Sequence, residues 1–185
     1  MKRVDEIKTE NARLAQLIGA HEKQLPTYGF SEQSGRHHIE IDERGYHYVV
    51  AERGSEFSRM TTQDLDELLY AVFQTVTHEM AFSYELRHRI KDQDCRRLGF
   101  PKQIELLGVV RNNWAERRST EIDRILNDHP FDDNSSARAT LWKQLRDEGR
   151  APDEIRQLAF DKYPPPEGWV PDPTAWIKRV TEKAT

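Results

Sequence analysis

The hydrophobic positions of this chain change period as it proceeds. Val4, Ile7, Leu14, Leu17 and Ile18 recur at helical spacing, which predicts an amphipathic helix over 2–20 with Gly19 near its end as a left-handed cap. Pro26, Gly29 and Gly35 then mark a loop. Ile39 and Ile41 alternate with His38, Glu40 and Asp42, as a half-buried strand requires. Asp42-Glu43-Arg44-Gly45 reads as a turn, after which Tyr46, Tyr48 and Val50 alternate again. If Ile41 pairs with Tyr46, then Ile39, Ile41, Tyr46, Tyr48 and Val50 share one face. A second turn at Arg53-Gly54-Ser55 leads to a short third strand near Phe57–Met60. Three strands are about the minimum for a useful sheet.

The period then lengthens. Leu65, Leu68, Leu69, Val72, Phe73, Val76, Met80, Phe82, Tyr84, Leu86 and Ile90 predict one long helix, with Thr61 and Asp64 as a weak capping box. The apolar set is wider than one stripe, so this helix is expected to be buried on more than one side and to cover the sheet. Two more helices follow. One carries Ile104, Leu106, Leu107, Val109 and Val110, with Pro101 in its first turn. The other starts after Asn113, with Glu116 completing a capping box, and carries Trp114, Ile122, Ile125 and Leu126.

Phe131-Asp132-Asp133-Asn134-Ser135-Ser136 is the boundary expected from composition. Beyond it, helices are expected over 137–148, stopped by Gly149, and over 152–160. Tyr163-Pro164-Pro165-Pro166 forces an extended segment, and Asp172-Pro173-Thr174 opens a last short helix with Trp176, Ile177 and Val180. The fold class that results is α+β. A small antiparallel three-stranded sheet packs on a long central helix, with additional helices and a helical, proline-rich C-terminal extension. Residues 1–131 form the main domain, with 1–24 its N-terminal helix and 25–131 its core, and 132–185 form the extension.

Composition narrows the function. The 185 residues are 36% hydrophobic and 32% charged, so a heavily charged surface surrounds a modest core. A net charge of −4 argues against general nucleic-acid binding, which needs a positive field. Cys95 is the one cysteine, which fits a reducing compartment. The charged N-terminal segment precedes no apolar run, and no stretch has the roughly 18–20 apolar residues of a membrane span. A cytoplasmic protein without a membrane partner is expected. Charge is also unevenly placed. From Glu40 to Glu67 eight acids face three arginines, whereas from Glu85 to Arg124 ten bases face seven acids. An acidic hairpin and helix start suit a basic protein partner. Glu40, Asp42, Glu43, Asp64, Asp66 and Glu67 are the candidate contacts, and reversing Glu43 and Asp66 is expected to slow association more than it changes stability.

Little else in the sequence carries chemistry. His37, His38 and His47 lie on or beside the hairpin, but zinc wants three or four ligands in a closed geometry and no cysteine pair is nearby. His78-Glu79 begins like a zinc-protease helix, yet the position four residues after His78 is Phe82. Asp92 and Asp94 sit in a charged run beside Arg96 and Arg97, where nothing implies the burial that acid–base catalysis needs. Cys95 has arginines beside it but no clear base. No catalytic, metal or cofactor residue is assigned, and no cofactor is expected.

One resemblance sharpens the picture. Leu25–Gly29, His38-Ile39-Glu40, Tyr46–Val50, Asp66–Tyr70, Tyr84–Arg89, Asp94–Arg97, Phe100 and Gln103–Leu107 resemble, in order and spacing, the Imm63 family of bacterial immunity proteins. The resemblance spans 25–131. It implies a non-enzymatic immunity protein, encoded beside a polymorphic or contact-dependent toxin, that binds and neutralises that toxin in the cytoplasm. A nuclease with a basic cleft would suit an acidic inhibitor. The residues themselves leave two other classes open: an interaction or scaffold module working through the C-terminal extension, with Trp142, Trp169 and Trp176 as anchors, and an enzyme with a histidine or carboxylate site.

Overall fold

A computed structural model describes residues 2–167. They fall into two compact units, one of residues 2–90 and 95–123, the other of 91–94 and 124–167. The larger unit opens with α1 (Val4–Ile18), closed by Gly19 at φ 68°. A 3₁₀ turn (Glu22–Gln24) leads to β1 (Thr27–Tyr28), β2 (Ser34–Asp42), β3 (Gly45–Glu52) and β4 (Ser55–Thr62). The long helix α2 (Leu65–Arg87) follows, then α3 (Arg96–Val110) and α4 (Asn112–Asp128).

The class is α+β, but the sheet has four strands in the order β1-β2-β3-β4 and is mixed, because β1 runs parallel to β2. The expected three-stranded antiparallel sheet is corrected accordingly. Two residues are too few to show a period of two, so β1 left no hydrophobic signature. β2, β3 and β4 are antiparallel, and Ile41 lies opposite Tyr46 and Ile39 opposite Tyr48, which is the register the alternation implied. β4 starts earlier and ends later than its two apolar residues suggested. Its continuation to Thr62 displaces the start of α2, whose cap is Asp64, accepting from the Asp66 N–H at 2.8 Å, and not Thr61.

Ile39, Tyr46 and Tyr48 present one sheet face to a core that includes Ile7, Leu14, Leu68, Leu69, Val72, Phe73, Val76, Leu107 and Trp114. α2 is buried along most of its length, as the width of its apolar pattern requires, whereas Leu86 in its last turn is exposed, and Ile90, expected within the helix, lies beyond its end at Arg87 and is exposed too. Its close partner is α3. A Cβ on Gly99 would lie 2.7 Å from the Phe82 ring, so any larger residue where the two helices meet would have to push that ring aside. α3 begins at Arg96 with Cys95 as its cap, which places Pro101 in its second turn and corrects the first-turn assignment. α4 begins at Asn112, whose side-chain amide donates to Glu116 at 3.0 Å.

Between α2, α3 and α4 lies a polar lock. Buried Gln103 donates to the Gln74 carbonyl at 2.8 Å and accepts from Arg118 Nε at 3.1 Å. Glu121 accepts from Tyr70, Gln74, Arg118 and Arg117 at 2.8–3.1 Å. Burial pushes the Glu121 carboxyl up, but the Tyr70, Arg118 and Arg117 donors outweigh it and hold it below the ordinary range.

The smaller unit contains α5 (Ser135–Asp147) and α6 (Pro152–Lys162), joined through Gly149 at φ 80°. Leu145, Ile155 and Ala159 are buried. Asp94, expected in a solvated charge run, is buried instead and accepts the Asp132 N–H at 2.8 Å. Arg138 pairs with Asp132 and donates to the Tyr163 carbonyl at 2.7 Å, while Asn134 donates to the Pro164 carbonyl at 2.9 Å. The chain entering the proline run is thereby tied to α5. Trp142 is half-buried in α5. The short helix expected after Asp172, with Trp169 and Trp176, lies outside the described residues.

Candidate partner-binding surface

The turn that joins β2 to β3 organises one end of the sheet. Asp42 lies opposite Gly45, Tyr46 lies opposite Thr62, and so the Asp42–Gly45 turn and the junction from β4 into α2 are neighbours. Asp42, Glu43, Asp64, Asp66 and Glu67 therefore lie around that end of the sheet, whereas Glu40 lies further along β2 on the sheet face away from α2. Their environments differ sharply.

Asp42 folds back on the turn, accepting the Arg44 N–H at 2.9 Å and the Arg44 guanidinium at 2.6 Å. The guanidinium, and then the His47 imidazole, hold its carboxyl well below the usual range. Glu43, at the tip, is exposed. Asp64 is an exposed helix cap. Asp66 pairs with Arg111, which joins α3 to α4, and accepts the indole N–H of Trp114 in α4 at 3.1 Å. Glu67 pairs with Arg117 at 2.7 Å. Sequence counting placed all six acids in an unbalanced run. The arginines that balance Asp66 and Glu67 are Arg111, just before α4, and Arg117 within it, 45 and 50 positions further on, and no local window can register them.

The sheet face away from α2 carries a second network. Arg59 bridges Glu40 at 2.9 Å and Glu56 at 2.7 Å, which sets two carboxylates on one guanidinium. Those guanidinium bonds hold both carboxyls below their ordinary range. His38 Nε2 lies 3.1 Å from Glu40 Oε1. His47 Nε2 lies 2.7 Å from Asp42, and its Nδ1 lies 2.8 Å from the Thr61 hydroxyl. His38 and His47 are only 2% and 1% exposed, so β3 is buried on both faces, the outer one beneath this charged layer. The sequence signals a strand with one wet face; long ionic side chains can cover a sheet as an apolar layer does.

The hydroxyl–imidazole–carboxylate order of Thr61, His47 and Asp42 is formally that of an acyl-transfer relay. Here each bond joins positions that strand pairing already makes adjacent, His47 being directly opposite Thr61. The relay thus acts as a clamp on strand register. The three hairpin histidines do not converge. His37 stacks on Tyr48 with centroids 4.4 Å apart, on the face opposite His38 and His47. Among the described residues no three His, Cys, Asp or Glu side chains are grouped to hold a metal ion. His78 is exposed and leans on Phe82 at 4.4 Å. Cys95 is half-buried at the start of α3. No helix of the described residues is long and apolar enough to cross a membrane.

Two features of this surface were not read from the sequence. One is the outer ionic layer of Glu40, Glu56 and Arg59. The other is Phe57, counted as a strand hydrophobe but 69% exposed on β4.

Residues 42–124 match the family model Imm63, described as Immunity protein 63. The match runs from the Asp42 turn through β3, β4, α2 and α3 into α4. No curated protein and no solved structure matches the chain.

Proposed function

We propose that this chain, Imm63-like over residues 42–124, is an immunity protein that binds and neutralises a cognate toxin without chemistry of its own. The observation that carries this reading is the family match itself, which covers the hairpin strand, the central helix and the surface around them. In this reading residues 1–131 carry the immunity function and 132–185 are an extension.

The acidic end of the larger unit is the proposed contact, with Glu40, Asp42, Glu43, Asp64, Asp66 and Glu67 in or beside it. Glu43 and Asp64 project there as exposed acids. A basic toxin domain, such as a nuclease with a positive cleft, would be steered to it. Inhibition would then follow from occupying or covering that cleft.

The test is co-production with the toxin domain encoded beside this chain's gene. A stoichiometric complex that survives purification, together with rescue of cells from that domain, is the expected result. A domain that neither binds nor is neutralised would overturn the reading.

A further inference from the structure

The strand order leaves β4 as an outer edge, and among the described residues β3 is its one strand neighbour. No turn or loop backbone group of the described residues bonds to its other side. On the opposite side β1 is only two residues long, whereas β4 has eight, and Ser55 to Arg59 are all exposed. A free edge of that length is a template for pairing, and monomeric proteins ordinarily guard it with projecting charge, proline or a bulge that turns the edge away.

β4 uses its devices differently. Its one cation, Arg59, is drawn back over the sheet by Glu40 and Glu56 and does not guard the edge. Its bulge lies between the Val50–Ser58 and Ala51–Glu56 pairs, so Phe57 is the extra residue. Bulges re-aim side chains, and this one leaves a phenyl ring 69% exposed beside unpaired backbone. Charge identifies the kind of occupant. Two carboxylates share Arg59, Asp42 is balanced by Arg44, and Glu43 stands exposed, so the face beside the edge keeps a negative surplus. A second copy of the chain would bring the same surplus against it.

We propose that β4 is the docking edge for an extended, basic segment of the toxin, which adds a fifth strand to the sheet and seats an apolar pocket on Phe57. This rests on the immunity reading above. Strand addition supplies affinity through main-chain bonds and specificity through alternate side chains. Lysine or arginine at every second position of the incoming segment would lie on the face that carries Glu56. The intervening positions would lie beside Met60 and be apolar.

The experiment uses the full chain and the catalytically disabled toxin domain encoded beside it. Binding is measured for wild type and Phe57→Ala, with hydrogen exchange of the β4 amides free and bound. Phe57→Ala is expected to weaken binding by at least about tenfold, as loss of an aromatic anchor does, with no change in the urea midpoint. Amides within 55–62 are expected to gain protection in the complex. A complex that forms with Phe57→Ala within twofold of wild type and with β4 unprotected would overturn this inference and leave the immunity reading standing. Sedimentation showing a dimer that Phe57→Ala dissolves would also overturn it, because a second copy would then hold the edge. Failure of the wild-type chain to bind the domain would remove both.

Discussion

Gly45 lies against the backbone of Thr62: a Cβ on Gly45 would lie within 3.0 Å of the Thr62 carbonyl carbon and 3.4 Å from Gln63 Cγ. Its φ of 137° is also one that L side chains rarely adopt. The close approach joins the β2–β3 turn to the strand that feeds α2, and so holds the acidic end together. Gly45→Ala is expected to cost about 2–3 kcal/mol, from backbone strain and the displaced Thr62 segment together. Urea unfolding checks it, and a cost below about 0.5 kcal/mol would mean that the junction yields freely.

Phe73 sits at the centre of α2, fully buried and stacked on Trp114 with centroids 6.0 Å apart. Phe73→Ala is expected to cost about 3–5 kcal/mol, the lost transfer energy plus the cavity left between sheet and helices. Denaturant titration reads it. A loss under about 1 kcal/mol would show that the neighbouring helices close over the gap.

How far the sequence discloses this fold depends on the range of each signal. Periodicity is local, and it shows α2, the β2–β3 register at Ile41 and Tyr46, and the helices α5 and α6. It misses β1 because Thr27 and Tyr28 pair with His38 and Ile39 in parallel through backbone alone. It misplaces the start of α3, since Pro101 is tolerated inside the second turn where a first-turn position is the ordinary expectation. Charge counting is local too. It finds the acids from Glu40 to Glu67 but not Arg111, between α3 and α4, and Arg117, in α4, which fold back onto Asp66 and Glu67. Phe57 reads as the start of a short strand, and neither its exposure nor the bulge that carries it can be seen in composition.

Acid sensitivity should begin near neutrality. Burial, then the neighbouring His38, lowers the affinity of His37 for a proton, and for His78, exposed on one side, desolvation of the covered part of its ring and then Arg118 do the same. The unfolded chain therefore takes up these protons first. Stability is fully present above the ordinary histidine value of 6.5 and is lost as pH falls from there through the lower folded values. Below about pH 4.5 the lowered carboxyls of Glu40, Glu56 and Glu121 add a second loss of the same sign. His37→Phe keeps a ring over Tyr48 and should flatten the slope between about pH 7 and pH 5.5. Urea midpoints across that window test it, and an unchanged slope would assign the loss to other groups.

The six candidate acids should separate by their partners. Glu43 is exposed at the turn tip, so Glu43→Lys is expected to leave stability within about 0.5 kcal/mol of wild type. Its effect should fall on association with a basic toxin domain, lowering the on-rate several-fold at low salt and less as the Debye length shrinks toward about 8 Å at physiological ionic strength. Asp66 behaves differently, and the expectation that reversing it would spare the fold does not survive its contacts. It accepts the Trp114 indole N–H at 3.1 Å and pairs with Arg111, tying the first turn of α2 to that of α4. Asp66→Lys would leave the buried indole donor unpaired and set a lysine against Arg111, at a cost of roughly 1–3 kcal/mol. Stopped-flow association at two ionic strengths, run beside urea titrations of both variants, distinguishes steering from structure. If Glu43→Lys associates like wild type at both salts, the acidic turn is solvated surface and the partner approaches elsewhere. If Asp66→Lys unfolds at the wild-type midpoint, α4 is held by Trp114 packing against Phe73 and Tyr70 without help from the ion pair.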